Sequence, residues 1–265
     1  MSFLPPPFDI LVMIWPIAAL VMLGFWCAQC FHHNAVLADV GFCLVFGVTS
    51  LVSANVIEGD PLRKWLLGAM GAFYAFRLAW HLLAHRIYRK IEDARYQALR
   101  GQMGKWAQLG FFIYFQGQAV AVVMFLMPLV VLMANPYPPF GVGEILGMLL
   151  WALAIVGEVL ADHQLGVFRE NPKNAGKTCR VGLWRYSRHP NYFCETLIWC
   201  AYVVMAIGVP MGWYTLIGPV AMTVALLKIT GIPYAEAQAL VTRGEDYRAY
   251  QRTTSVFFPW FPKKE

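Results

Sequence analysis

The chain has 265 residues, of which 59% are hydrophobic and only 14% charged. A soluble domain is about one quarter charged, and 15 acids with 21 bases are too few to coat a surface of this size with charge. An ordinary cytosolic enzyme, a disordered chain and a disulfide scaffold are excluded, which leaves an all-α polytopic membrane protein.

Apolar runs of about 20 residues cross a bilayer as helices, because every backbone polar group must find its partner inside the segment. Seven such runs are expected, at 8–30, 40–57, 65–85, 109–133, 142–161, 192–210 and 212–229. The second and last are short, and the last two also read as one tight hairpin. Together they use more than half of the chain, so residues 1–265 read as a single integral membrane domain. If the spans alternate sides, the loops 31–39, 86–108 and 162–191 and the tail from 230 share one face, with almost all the bases. The other face carries only Arg63 and Lys64. The positive-inside rule makes the basic face cytoplasmic, with the N-terminus outside and the C-terminus cytoplasmic. No Lys or Arg precedes Arg63, so the first run reads as an uncleaved helix and not as a signal peptide. The net charge of +6 follows from the same skew, and nucleic-acid binding is not expected.

Cys27 and Cys30 form a C-x-x-C before His32 and His33. Zinc would need a closed tetrahedral set, whereas buried cysteines are ordinary small apolar residues. The spacing is short and isolated, so no metal is expected.

An ionisable residue within or beside a span is expensive and is a functional candidate by default. Asp39 opens the second run, either as a helix N-cap or as a functional acid. Tyr74 and Arg77 share a face of the third. Glu158 and Asp162, one turn apart at the end of the fifth, repel each other unless a donor lies between them, and Arg169 follows. Arg185, Arg188 and His189 precede Pro190 at a helix start, where backbone N–H groups favour an anion. Asn191 and Glu195 then face the same way. Lys228 closes the last run, and a charged stretch with Glu236, Tyr247 and Arg252 leads to Phe257-Phe258-Pro259-Trp260-Phe261, an interfacial anchor by composition. These residues all lie on the cytoplasmic half. They imply an apolar cavity in residues 1–133 for a lipophilic substrate and a polar cytoplasmic site in residues 142–265 for a charged one. No G-x-G-x-x-G loop follows a strand.

At these residues the chain resembles the steroid 5-alpha-reductase superfamily, in a bacterial branch. The matching stretches are Asn34-Ala-Val-Leu-Ala-Asp39, Arg77-Leu-Ala-Trp-His-Leu, Glu92-Asp93-Ala-Arg95-Tyr96, Glu158-x3-Asp162-x-Gln164, Gly182-Leu-Trp-Arg-Tyr-Ser-Arg-His-Pro-Asn-Tyr-Phe and the Tyr-x-x-Tyr-x-x-Arg-Thr tail. The resemblance implies seven helices, with the first four enclosing a lipid and the last three holding NADPH from the cytoplasm. It implies hydride transfer to the beta carbon of a lipophilic alpha,beta-unsaturated ketone, a steroid or an isoprenoid, with the carbonyl polarised by Tyr74 and Asp39 and the substrate also contacted by Arg77. Its cofactor residues fall on Glu158, Asp162, Arg169, Asn174, Trp184, Tyr186, Arg188, His189, Asn191, Glu195, Lys228, Glu236, Tyr247 and Arg252. The eukaryotic reductases have Gln-Glu where this chain has Ala38-Asp39, Asn where it has Glu158, and usually Arg where it has Lys228. The implied location is the bacterial inner membrane, with the cofactor site facing the cytoplasm. The Arg-His-Pro-Asn-Tyr element is shared with integral membrane methyltransferases acting on isoprenylcysteine or phospholipid, so a methyltransferase using S-adenosylmethionine is the alternative reading.

Overall fold

A computed structural model describes residues 7–88 and 92–263, which form helices joined by loops, with no strand among them. The helices are α1 (Asp9–His32), α2 (Leu37–Val56), α3 (Pro61–Leu82), α4 (Ala94–Met103), α5 (Ala107–Met133), α6 (Val142–Glu170), α7 (Pro190–Met205), α8 (Ile217–Val224) and α9 (Ile232–Thr253). The seven apolar runs therefore fall largely in helix, the sixth ending at Met205. Among the described residues five helical stretches are long and apolar enough to cross a membrane: Asp9–His32, Leu37–Val56, Ala94–Met133, Val142–Glu170 and Gly212–Thr253. α7 is too short for that measure at 16 residues. α3 falls below it because it carries Arg63, Lys64, Tyr74, Arg77 and His81 among its apolar residues.

Large apolar side chains face outward along the apolar helices. Leu20 of α1 is 69% exposed and Leu153 of α6 is 70% exposed. Contiguous apolar surface of this kind is rare on a soluble monomer and suits a helix whose outer solvent is lipid. The chain has the make-up of an integral membrane protein.

Two compact units are formed, one from Met1–Glu144 with Met205–Gly218, the other from Ile145–Val204 with Pro219–Glu265. In the first unit α2 packs along α3, and α1 and α2 pack against α5. Without a hydrophobic drive between helices in lipid, small residues let backbones approach. A Cβ on Gly68 would come 2.8 Å from Ala54 Cβ, and one on Gly71 would come 2.7 Å from Ser50 Oγ. The polar end of α3 is fixed differently. Asp60 caps it by accepting from Arg63 N at 2.9 Å, with Pro61 in the first turn where its missing N–H is not needed. The buried Arg63 guanidinium then binds Glu144 and donates to the carbonyls of Asn135 (2.8 Å), Tyr137 (2.8 Å) and Pro138 (2.9 Å). This cation fastens the proline-rich 134–141 loop.

In the second unit α6 continues nine residues past the end of its apolar run, to Glu170. Glu158 and Asp162 are thus helix-interior residues, and Arg169 lies in the last turn. α7 begins at Pro190, as the sequence implies. A Cβ on Gly157 would come 2.7 Å from Cys194 Sγ, which marks close contact between α6 and α7. The charged tail stretch forms α9, kinked at Gly244, whose φ of +51° is accessible to glycine without a Cβ clash.

Candidate functional site

Polar side chains gather in both units. In the first unit Asp39 lies in the first turn of α2, but the N-cap is Val36. The capping reading of Asp39 is therefore replaced. Its carboxylate meets Arg95 Nη2 at 2.6 Å and accepts from the Tyr96 hydroxyl at 2.7 Å. Arg95 also lies over the Tyr96 ring, 4.3 Å from its centre. The Tyr96 and Tyr114 hydroxyls are 3.2 Å apart, and Gln118 Nε2 donates to Tyr114 at 3.1 Å. Tyr74 is buried on α3, its ring edge-on to Phe46 of α2 at 6.2 Å. Asp39 and Tyr74 thus both belong to the first unit, on adjoining helices. Arg77 lies one turn beyond Tyr74 on α3.

Further polar bonds in that unit tie the 92–100 segment to the turn between α1 and α2, and α1 to α5. Glu92 accepts from Ala35 N at 2.9 Å and from Arg100 at 2.8 Å. The fully buried Gln29 donates to Gln108 at 2.7 Å, and Cys30 Sγ bonds the same Gln108 oxygen. Among the described residues no three His, Cys, Asp or Glu side chains are arranged to hold a metal ion.

In the second unit Asn191 Nδ2 donates to Asp162 Oδ1 at 3.1 Å, joining α7 to α6. The Asn191 Oδ1 atom is buried with no hydrogen-bond partner among the described residues. Cys194, between Asn191 and Glu195 on α7, has Glu158, Asp162 and Glu195 as its charged neighbours. Four of the expected residues therefore share the α6–α7 seam. Arg169, Lys228 and Arg252 are exposed, and Asn174 donates to Phe168 O at 2.9 Å.

The remaining expected residues fasten the tail to the 184–189 loop. Trp184 is buried and its indole donates to Ala161 O at 2.9 Å. Tyr250 donates to the carbonyls of Trp184 and Ser187, and Tyr186 O accepts from Trp260 N at 2.9 Å. Arg188 Nε donates to Glu236 at 2.7 Å while its Nη1 donates to the carbonyls of Gln251 and Thr254. His189 Nε2, Tyr247 and Gln251 also reach Glu236. The anion beside Arg188 and His189 is thus the chain's own Glu236. Burial pushes the His189 imidazole below its usual range, against the pull of Glu236. Burial alone would raise the Glu236 carboxyl, but the bonds from His189, Arg188 and Gln251 outweigh it and hold it at about 2.

Arg95, Tyr96, Tyr114, Gln118 and Gln251 complete these networks without standing among the expected site residues. The Glu92-Asp93-Ala-Arg95-Tyr96 motif carried a signal for two of them. Tyr114 and Gln118 sit within an apolar run, where nothing but their polarity marks them.

The family model DUF1295, described as a protein of unknown function, matches residues 25–254. The chain belongs to this family. It is 26% identical over 224 residues to an uncharacterized protein of Schizosaccharomyces pombe, covering 74% of this chain and 63% of that one. It is 36% identical over 76 residues to a probable O-methyltransferase, ustE, of Ustilaginoidea virens, covering 29% of this chain and 24% of that one. The chain therefore spans less than two thirds of either relative. No solved structure matches it.

Proposed function

We propose that this DUF1295 chain is an integral membrane reductase, similar to the steroid 5-alpha-reductases, that uses NADPH to reduce the carbon–carbon double bond of a lipophilic enone. The observation that carries this reading is the α6–α7 seam. Asp162 is bonded to Asn191, with Glu158 and Glu195 nearby and one buried amide oxygen left over. Carboxylates suit the hydroxyl donors of a ribose, and the unpaired Asn191 oxygen suits an amide N–H, so the donor set fits a nicotinamide dinucleotide. Arg169, exposed in the last turn of α6, would meet its phosphates. The bound dinucleotide supplies hydride. The chain's own part is to hold and orient it through Asp162, Asn191 and Arg169, and to polarise the substrate carbonyl through Tyr74. A buried phenol is a competent donor to an oxygen on which charge develops. Seven spans with the N-terminus outside put the second unit's polar residues on the cytoplasmic side, and the skew of basic residues supports that topology. A bacterial inner membrane is the setting that goes with it.

The test is oxidation of NADPH by the detergent-purified protein with a 3-oxo-Δ4 steroid as the enone. Removing one preorganised donor to a developing oxyanion lowers turnover about 100- to 1000-fold. Tyr74→Phe is expected to fall in that range while NADPH binding survives. Full turnover in Tyr74→Phe would overturn the role given to this phenol.

The printed name of the Ustilaginoidea virens relative favours a second reading, a membrane methyltransferase using S-adenosylmethionine. Under it Tyr74 is a packing residue and the second unit binds no dinucleotide.

A further inference from the structure

The hydroxyl chain of the first unit has a fixed direction. Asp39 is ion-paired with Arg95 at 2.6 Å, so its carboxylate only accepts. The Tyr96 hydroxyl, 2.7 Å away, must spend its single proton on Asp39. It then has only lone pairs for Tyr114, 3.2 Å away, and Tyr114 must donate inward in turn. Gln118 Nε2 donates to the Tyr114 oxygen at 3.1 Å. Every hydrogen in the sequence Gln118, Tyr114, Tyr96, Asp39 therefore points toward the carboxylate. Tyr96 is fully buried, whereas Tyr114 and Gln118 are only half-buried. The less buried end of the chain is a phenol oxygen with one lone pair left and no proton to offer.

From this polarity we infer that Tyr114 is a ligand-binding residue that accepts a hydrogen bond from a hydroxyl on the lipophilic molecule held by the first unit. The inference rests on the proposed reading only in taking that molecule to be a lipid-like enone, and it adds that the same molecule carries an alcohol. A ketone presented to Tyr114 would place two acceptors face to face. Carbonyl polarisation is then a task for Tyr74, and Asp39 is a positioning residue that acts on the ligand through Tyr96 and Tyr114.

The test compares two probes with one skeleton, a 3-oxo-Δ4 steroid bearing a 17-hydroxyl and its 17-ketone counterpart. Binding to the purified full-length protein is measured by ligand-dependent thermal stabilisation. A neutral hydrogen bond contributes about 1 kcal/mol, so the parent is expected to bind the alcohol roughly 5-fold more tightly. Tyr114→Phe is expected to bind both alike. Tyr96→Phe returns the Tyr114 proton to the ligand side and is expected to narrow or invert the preference, which supplies a second reading if Tyr114→Phe does not fold. A packing role for Tyr114 would move both affinities together and leave their ratio unchanged. Equal binding by the parent, a preference for the ketone, no binding of either probe, or a preference that survives in both variants would overturn the inference. If the alcohol preference is found and neither steroid is reduced with NADPH, the reductase reading fails and the Tyr114 subsite stands. If both are reduced without discrimination, the reverse holds.

Discussion

Arg188 and Glu236 are 48 residues apart in the chain and 2.7 Å apart in the structure. Their contact joins the loop before α7 to α9, and His189, Tyr247 and Gln251 converge on the same carboxylate. Arg188 and Glu236 are 11% and 15% exposed, so removing one charge leaves the other poorly solvated. Breaking such a pair from one side costs more than the pair is worth when intact. Glu236→Gln is expected to destabilise the protein by about 2–4 kcal/mol, read as a lower melting temperature and faster proteolysis of the tail.

The same carboxylate gives a pH dependence of known sign. Glu236 is held at about 2 in the folded chain against 4.5 unfolded. The unfolded state therefore binds more protons between those values, and stability falls as the pH falls. His189 acts in the same sense from a higher pH, since burial keeps its folded pKa below 6.5 and its stabilising effect is lost on acidification below that value. Melting temperature is expected to decline from about pH 6.5 downward. The gap between the parent and Glu236→Gln is expected to close between pH 4.5 and 2, because a protonated Glu236 resembles glutamine. A gap that stays constant through that window would show that Glu236 is not the titrating group.

Much of this was legible in the sequence. The seven apolar runs fall largely in helix, Pro190 begins α7, and the charged tail is a helix. Asp162 and Asn191, named from different segments, meet across α6 and α7. Direction was harder to read than identity. Arg188 and His189 announce an anion, but sequence cannot say that Glu236, far along the chain, is the one. In the sequence Asp39 also reads as an N-cap, and only the fold shows it inside the first turn with its carboxylate turned to Arg95 and Tyr96. Tyr114 and Gln118 acquire meaning only once α4 brings Tyr96 beside them, a contact that no spacing within α5 encodes.

Close packing of α6 on α7 is expected to be sensitive to one methyl group. A Cβ on Gly157 would sit 2.7 Å from Cys194 Sγ, so Gly157→Ala forces the helices or the thiol to shift. Overpacking of this kind costs about 1–3 kcal/mol. Cys194→Ala in the same chain removes the clash, and the double variant is expected to recover most of the loss. Additive melting-temperature changes in a double-mutant cycle would show that the two positions do not couple.

Arg63 binds the 134–141 loop, with Glu144 and three carbonyls as partners. Arg63→Ala removes the counter-charge of Glu144 and the donor of those buried acceptors, and is expected to cost about 3–5 kcal/mol. Arg63→Lys keeps the charge but loses the planar fork, and is expected to fall between Arg63→Ala and the parent in thermal unfolding. A lysine variant as stable as the parent would show that charge alone holds the loop.

The most direct test of the reductase proposal is thermal unfolding of the detergent-purified protein with NADPH, NADH or S-adenosylmethionine added. A ligand that binds only the folded state, at 100 times its dissociation constant, adds about 2.7 kcal/mol. NADPH is expected to raise the melting temperature, and Arg169→Ala and Asn191→Ala are expected to weaken that response. A rise with S-adenosylmethionine alone, or an NADPH response unchanged in both variants, would contradict the cofactor site proposed on α6 and α7.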